Sequence, residues 1–497
     1  MKLTDKPWLK VGLLALITVG LFLVLRFYKL LSLPVFVDES IYIRWSQVMR
    51  AEPTLRFLPL SDGKQPLFMW LVIPALKLFR DPVFAGRTIS VVAGFATLAA
   101  VFLLTRRYTK KNDWALVAAL IYAIFPFAVF FDRMALADGL LSMFGVWAFL
   151  LGLLLVENLR LDLAMLLGFA VGGAVLTKSP GWFFLLLQPA LIFWRPKWQQ
   201  LDWFKLFGGW LVAAIIAVGM YNILRLGPNF QLVAQRNLDY VFSPNEVLQH
   251  PLNPFIGNIK NTFAWLMNLI TPVGLILAFA SILGRERKQV SLWVWIILPL
   301  LAQAAVAKVY TSRYFFYVIP YLAILAALGW RELQQRQRTL AVFLAALFIS
   351  QCLVYGWTMV TNPARARMPQ NMAHGYLQEW TAGWGQKEVA DYLIERAKTH
   401  TIVIGTEGFF GTLPDGLQIY TEKVPNLTVI GVGLNVSAIP ESLKQALVEN
   451  EVYLVINKDR HSLKEIPPEK RKLLLSFPKP PRPNGSNEEL DFYQLFL

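Results

Sequence analysis

Apolar segments of roughly twenty residues recur along this chain, and nothing else in it constrains the fold as tightly. About twenty residues at 1.5 Å per residue is the length that crosses ~30 Å of hydrocarbon. The segments fall near 9–28, 84–105, 114–131, 135–156, 162–177, 181–194, 204–225, 261–283, 290–307, 314–330 and 339–358. They predict an α-helical polytopic membrane protein with about eleven transmembrane helices. Segments 162–177 and 181–194 are short, so tilt, breakage or shelter by neighbours is expected there. Composition agrees. Of 497 residues, 56% are hydrophobic and only 16% charged, against roughly 25% charged in a soluble domain. The run from Val11 to Phe27 has the basic flank of a signal peptide. It lacks a small-residue cleavage site before Pro34 and reads as a retained first span.

The charge is +16. In a soluble protein that would suggest nucleic acid, but no basic-aromatic groove pattern is present and nucleic acid is not an expected partner. The cations cluster between apolar runs instead: Lys2, Lys6 and Lys10; Arg106, Arg107, Lys110 and Lys111; Arg160; Arg195, Lys197 and Lys205; Arg285, Arg287 and Lys288; Arg331, Arg336 and Arg338. All fall on one side of the predicted spans. The positive-inside rule makes that side cytoplasmic, facing anionic membrane lipids. The expectation is a multi-pass cell-membrane protein with a cytoplasmic N-terminus and an extracytoplasmic C-terminal domain.

Two domains are expected, 1–360 in the membrane and 361–497 outside it. The first outer loop holds two apolar stretches too short to span, 38–49 and 66–79, which read as interfacial helices. The loop 225–260 is polar and Pro-rich. The tail has helical patterns at 386–398 and 441–449 and β-branched runs at 401–405 and 452–456, as in a small α/β domain. Residues 478–486 are a Pro-rich connector.

The residues able to carry chemistry lie on the outer side. Asp38 and Glu39 open the first interfacial helix. They suit a helix N-terminus, or a base that takes a proton from an attacking hydroxyl. Lys64 precedes the second interfacial helix, as a snorkelling cation or as a counter-charge to a lipid phosphate. Asp132, Arg133 and Asp138 fall between the third and fourth spans, and Asp138 sits in apolar sequence where a charge is costly. It could pair with Arg133 to lock two helices, or serve a site. Lys178 lies in the turn Thr177-Lys178-Ser179-Pro180-Gly181, and Arg313, Tyr314 and Tyr317 follow the ninth span. Cations from distant parts of the chain thus map to one face, which a phosphate-bearing lipid headgroup would explain. The four histidines show no paired spacing. Only His250 falls in an outer loop within reach of the acidic pair, so a divalent metal is an open option rather than an assigned cofactor. Cys352, the one cysteine, excludes an internal disulfide and a cysteine zinc site. No phosphate-binding Gly-rich loop or Ser nucleophile motif is present.

Taken in order, Asp38-Glu39, Lys64-Gln65-Pro66-Leu67, Arg133 to Asp138, Thr177-Lys178-Ser179-Pro180-Gly181 and Arg313-Tyr314 through Pro320 resemble the protein O-mannosyltransferase superfamily, which includes the bacterial aminoarabinose transferases. The resemblance covers about 1–360. It implies a C-type glycosyltransferase fold and an inverting transfer of sugar from a polyprenyl-phosphate donor to a glycan, lipid or protein acceptor. It implies Asp38 as base with Glu39 in support, Arg133 and Asp138 shaping the cavity, and Lys64, Arg313 and Tyr317 holding the donor phosphate, with Arg133 and Lys178 as further cations there. Gly63 stands where the aminoarabinose subgroup carries Glu before the lysine, a departure that counts against the metal and against that subgroup. The alternative is a transporter or flippase for lipid-linked saccharides, which would be expected to show inverted repeats and broken helices at mid-membrane. No repeat is evident here.

Overall fold

The computed structural model describes residues 7–195 and 197–497. Lys2 and Lys6 lie outside the described residues. Its contacts divide the chain into two compact units: 1–30, 54–71 and 87–367 in a helical unit, and 31–53, 72–86 and 368–497 in a second unit.

Every predicted span is helical, but not as eleven uniform rods. Among the described residues seven helices are long and apolar enough to cross a membrane: Trp8–Ser32, Pro82–Thr109, Ala137–Asn158, Gln200–Leu226, Gln289–Val306, Ser312–Arg336 and Arg338–Thr361. The expected span 261–283 is instead a pair, Phe255–Leu269 and Pro272–Gly284, bent by 100°. Pro272 has no N–H to continue the first helix, and the Thr271 hydroxyl accepts from the Gly274 N–H to start the second. The expected span 114–131 divides in the same way at Pro126. The short segments 162–177 and 181–194 remain short.

The helices that position the site are α1 (Pro7–Phe27), α4 (Pro82–Thr109), α5 (Asn112–Ile124), α6 (Pro126–Phe131), α7 (Ala137–Asn158) and α8 (Leu161–Thr177); α2 (Val37–Ala51) and α3 (Leu67–Leu78) come from the first loop. The helix Ile319–Arg336 is the most enclosed and packs against α5 and Pro272–Ala280. Small residues allow close approach: a Cβ on Gly329 would lie 1.8 Å from the Leu277 carbonyl oxygen. Helices α1 and Gln200–Asn222 lie at the periphery, where Leu13, Leu16, Leu211 and Ile215 leave apolar faces for lipid.

The second unit is built on a five-stranded sheet ordered β4-β3-β5-β7-β6, comprising β3 (Ile402–Thr406), β4 (Leu427–Gly431), β5 (Glu451–Asn457), β6 (Arg471–Pro478) and β7 (Glu489–Leu495). β3 runs parallel to both β4 and β5, and β7 antiparallel to β5 and β6. The central strands β3 and β5 carry apolar side chains toward both faces because both faces are covered. Ile402, Ile404, Tyr453, Val455 and Phe492 pack on one side, and Val452, Leu454, Ile456 and Leu495 on the other. The Pro-rich segment at 478–486 connects β6 to β7.

This unit takes in α2. β1 (Val35–Phe36) pairs antiparallel with β2 (Ala382–Gly383), and the Val37 N–H donates to the Thr381 carbonyl. Helix α2 buries Ile41, Tyr42, Trp45 and Met49 and packs on the helix Asp415–Thr421. The Gln47 amide donates to the Ile419 carbonyl at 2.7 Å, and Arg50 pairs with Glu422 at 2.5 Å.

Candidate active site

Asp138 lies in the first turn of α7, where the helix N-terminus favours an acid, and is 4% exposed. Helix α8 stops at Lys178 because Pro180 removes an N–H that the next turn would use. The chain must then fold back tightly, and a Cβ on Gly181 would lie 2.5 Å from the Ala174 carbonyl carbon. That turn aims Lys178 at Asp138: Nζ lies 2.6 Å from Oδ1. An Arg133–Asp138 pair was one of two readings of the sequence; in the structure the partner of Asp138 is the lysine forty residues on, while Arg133 donates to backbone carbonyls.

Lys178 also stands 4.3 Å over the Tyr314 ring, and Arg313 lies 5.5 Å from the same ring. Each cation sits near the negative face of one aromatic. The loop carrying Lys64 joins the same neighbourhood, since the Gln65 amide donates to the Ser179 hydroxyl at 2.8 Å. Lys64 pairs with Asp62 at 2.9 Å, and Asp62 with Arg236 at 2.5 Å. Tyr317 is buried, its ring edge-on to Phe184, and its hydroxyl has no hydrogen-bond partner among the described residues. The helical unit thus brings Lys178 and Arg313 to the Tyr314 ring and Asp138 to Lys178, and it ties the loop that carries Lys64 to the Lys178 turn.

Arg133 was expected on the donor phosphate, and its guanidinium is used otherwise. Nη1 donates to the carbonyls of Leu25, Arg26 and Tyr28, and Nη2 to that of Lys29. These include carbonyls at the end of α1 that no helical N–H can reach, a large cost in apolar surroundings. A cation there also suits the helix dipole. The neighbouring Asp132 accepts from Arg26 at 3.1 Å and from the Tyr122 hydroxyl at 3.3 Å, all fully buried. A Cβ on Gly94 would fall 2.6 Å from the Asp132 carboxyl carbon, so that glycine makes room for the carboxylate. Sequence reasoning missed Arg26. The signal was present: a basic residue inside an apolar span needs a buried acid, and Asp132 was already suspect.

The acidic pair belongs to the other unit. Glu39 is fully buried, and its Oε2 accepts from the Phe36 N–H at 3.0 Å, the reciprocal half of a capping box. Asp38, one residue earlier in the same first turn, is half-buried. The two carboxylates therefore differ: Glu39 closes the start of α2, and Asp38 retains access.

Among the described residues no three His, Cys, Asp or Glu side chains are grouped to hold an ion. His250 is exposed at the end of the short helix Pro244–Gln249.

Residues 63–221 match the family described as dolichyl-phosphate-mannose-protein mannosyltransferase. The chain is 27% identical over 333 residues to the undecaprenyl phosphate-alpha-4-amino-4-deoxy-L-arabinose arabinosyl transferase of Pseudomonas aeruginosa. That match takes in 61% of this chain and 56% of the relative, so the chain spans little more than half the length of the relative it matches. The fold is similar to ArnT from Cupriavidus metallidurans in the apo state, with a TM-score of 0.59 and 16% identity over 98% of this chain and 97% of that one. It is also similar to the same protein bound to undecaprenyl phosphate, with a TM-score of 0.63 and 15% identity over 98% of each chain. The chain is thus similar in sequence to that mannosyltransferase family over 63–221, and similar in fold to ArnT over nearly its whole length.

Proposed function

We propose that this protein transfers a sugar from a polyprenyl-phosphate carrier to an acceptor hydroxyl at the outer membrane surface. The meeting of Lys178 and Arg313 at Tyr314, with Asp138 on Lys178 and the Lys64 loop tied to the next residue through Gln65 and Ser179, carries the reading. The acceptor oxygen attacks the anomeric carbon, and the bond from that carbon to the phosphate oxygen breaks. The hydroxyl proton passes to the Asp38 carboxylate, and the carrier leaves as its phosphate. Direct attack inverts the anomeric centre. The leaving group gains negative charge as the bond breaks, so cations preset around it stabilise the transition state more than the ground state. Asp138 keeps Lys178 oriented, Glu39 fixes the turn that presents Asp38, and the Tyr317 hydroxyl is a donor for a phosphate oxygen. Arg133 acts through the end of α1 and not on the donor. The basic loops favour a cytoplasmic N-terminus, with the second unit on the opposite side of the membrane. The matched relatives are transferases, which favours transfer over transport of the lipid-linked sugar.

The test is mass spectrometry of envelope glycans and glycolipids from cells lacking the protein, complemented with the wild type or with Asp38→Asn. A sugar lost in the deletion, restored by the wild type and not by folded Asp38→Asn, is the expected outcome. Full restoration by Asp38→Asn overturns the base assignment.

A further inference from the structure

At the end of the helical unit that carries the basic loops, the α7–α8 turn and the helix Gln200–Asn222 enclose an open cavity of about 370 Å³. Leu155, Leu159, Leu161 and Val212 line it together with Arg160, Lys205, Gly208 and Gly209. The two glycines differ. A Cβ on Gly209 would touch Leu155 at 3.2 Å, whereas one on Gly208 would meet nothing within 4 Å. Gly208 therefore borders open space rather than a helix contact.

The surroundings are those of the bilayer interface. Leu161, Met165, Leu166 and Phe169 of α8 and Leu201, Phe204 and Phe207 of the facing helix are all exposed, an outward apolar surface that only hydrocarbon would cover. Trp198 and Trp203 stack beside it with ring centroids 4.4 Å apart, at the level where tryptophan marks the headgroup zone. The charges at this end are also defined. Arg160 pairs with Asp162 through Nε and Nη2, leaving Nη1 without a hydrogen bond among the described residues. Lys205 has no ion pair among the described residues. Asp202 is taken by Arg195 at 2.8 Å, and Glu157 by Arg107 at 2.5 Å. Two exposed cations thus line an otherwise apolar groove, one of them sharing its charge with Asp162.

We propose that this groove holds an anionic phospholipid of the cytoplasmic leaflet, with its phosphate between Arg160 and Lys205 and one acyl chain along Gly208 and Val212. An acyl chain fits a groove whose lining lacks a side chain at Gly208, and a phosphate fits between its two cations. A free phosphate would use the cations alone and leave the apolar lining uncovered. The lipid would clamp the α7–α8 turn to the following helix, on the side of the unit away from the donor-phosphate cations if the basic loops are cytoplasmic.

Native mass spectrometry of the full chain, released from nanodiscs of equal phosphatidylglycerol and phosphatidylcholine, tests this. The wild type is expected to retain phosphatidylglycerol over phosphatidylcholine by about tenfold, equivalent to ~1.4 kcal/mol. R160Q/K205Q is expected to bring the ratio to about one, and Gly208→Leu, which fills open space, to lower retention of both lipids at least threefold. Equal retention of the two lipids by the wild type overturns the proposal, and so does an undiminished preference in R160Q/K205Q. Displacement of the bound lipid by millimolar inorganic phosphate also overturns it, by assigning the site to a free anion. Were a variant not to fold, the ratio in the wild type and the phosphate competition would still decide.

Discussion

Lys178 and Asp138, forty residues apart and on different helices, meet at 2.6 Å, with the lysine also 4.3 Å over the Tyr314 ring. The lysine is held on two sides. Its side chain is therefore preset rather than mobile, and a preset cation stabilises a charge developing on a leaving group at no cost of reorganisation. Lys178→Met is expected to lower kcat by 10²-fold or more, on the scale of removing one preorganised donor. Asp138→Asn keeps the lysine but loosens it, so a smaller loss of roughly tenfold is expected. Steady-state assays with a polyprenyl-phosphate sugar would resolve the two. Equal and negligible effects would remove the pair from the site.

Asp38 and Glu39 should separate in experiment. Asp38→Asn is expected to abolish turnover while the protein elutes and melts as the wild type does. Glu39→Gln removes a capping carboxylate and should lower stability by about 1 kcal/mol, with activity reduced in parallel. A catalytic Glu39 would instead lose activity with no change in melting.

For Arg133 the expectation is structural. Arg133→Met would leave four carbonyls near the end of α1 unpaired. At ~1–3 kcal/mol for each buried unsatisfied group, the loss should be at least ~3 kcal/mol. Gly94→Ala should also destabilise, by pushing against Asp132. Thermal unfolding in detergent measures both. Weak donor binding with unchanged stability in Arg133→Met would restore the phosphate role.

The second unit should respond to pH through Asp415. Burial pushes its carboxyl up to about 6, although the Gly411 N–H donates to it at 2.7 Å. The folded state thus holds the proton more tightly than the unfolded chain, so stability falls as pH rises from about 4 to about 6. Asp415→Asn keeps an acceptor without the charge. It should flatten that slope and stabilise the unit at pH 7 by roughly 1–3 kcal/mol. Hydrogen exchange of the β3 and β5 amides in the full chain, corrected for intrinsic rates, would register the change. An unaltered slope in the variant would clear Asp415 of responsibility.

Because α2 buries Trp45 and Met49 and is tied to 419–422, loss of the tail should free it. Deletion of 368–497 is expected to expose 37–51 to protease and to abolish transfer through Asp38. An intact, protease-resistant first loop in the deletion would show that α2 stands without the tail.

The sequence by itself determined that this chain crosses a membrane many times and that Asp138 carries a costly charge, although it left Arg26 unnoticed. Those inferences need only length and hydropathy, which are local sums, and burial of a charge in apolar sequence, which is local too. It also marked β3 and β5, whose unbroken apolar runs follow from burial on both faces. β7 escaped notice because Glu489 and Asp491 alternate with Leu490 and Phe492, so its pattern resembles a polar connector until β5 and β6 flank it. Tertiary structure alone decided partnership. Arg133 and Lys178 are both cations beside apolar helices, and nothing in their neighbours says that one caps α1 while the other meets Asp138. That choice depends on which helix ends are brought together, and on carbonyls whose need for a donor exists only once the helix has ended there. Tertiary structure likewise gave α2 to the second unit, since an amphipathic stretch of fifteen residues fits a lipid surface or a protein surface equally well by composition.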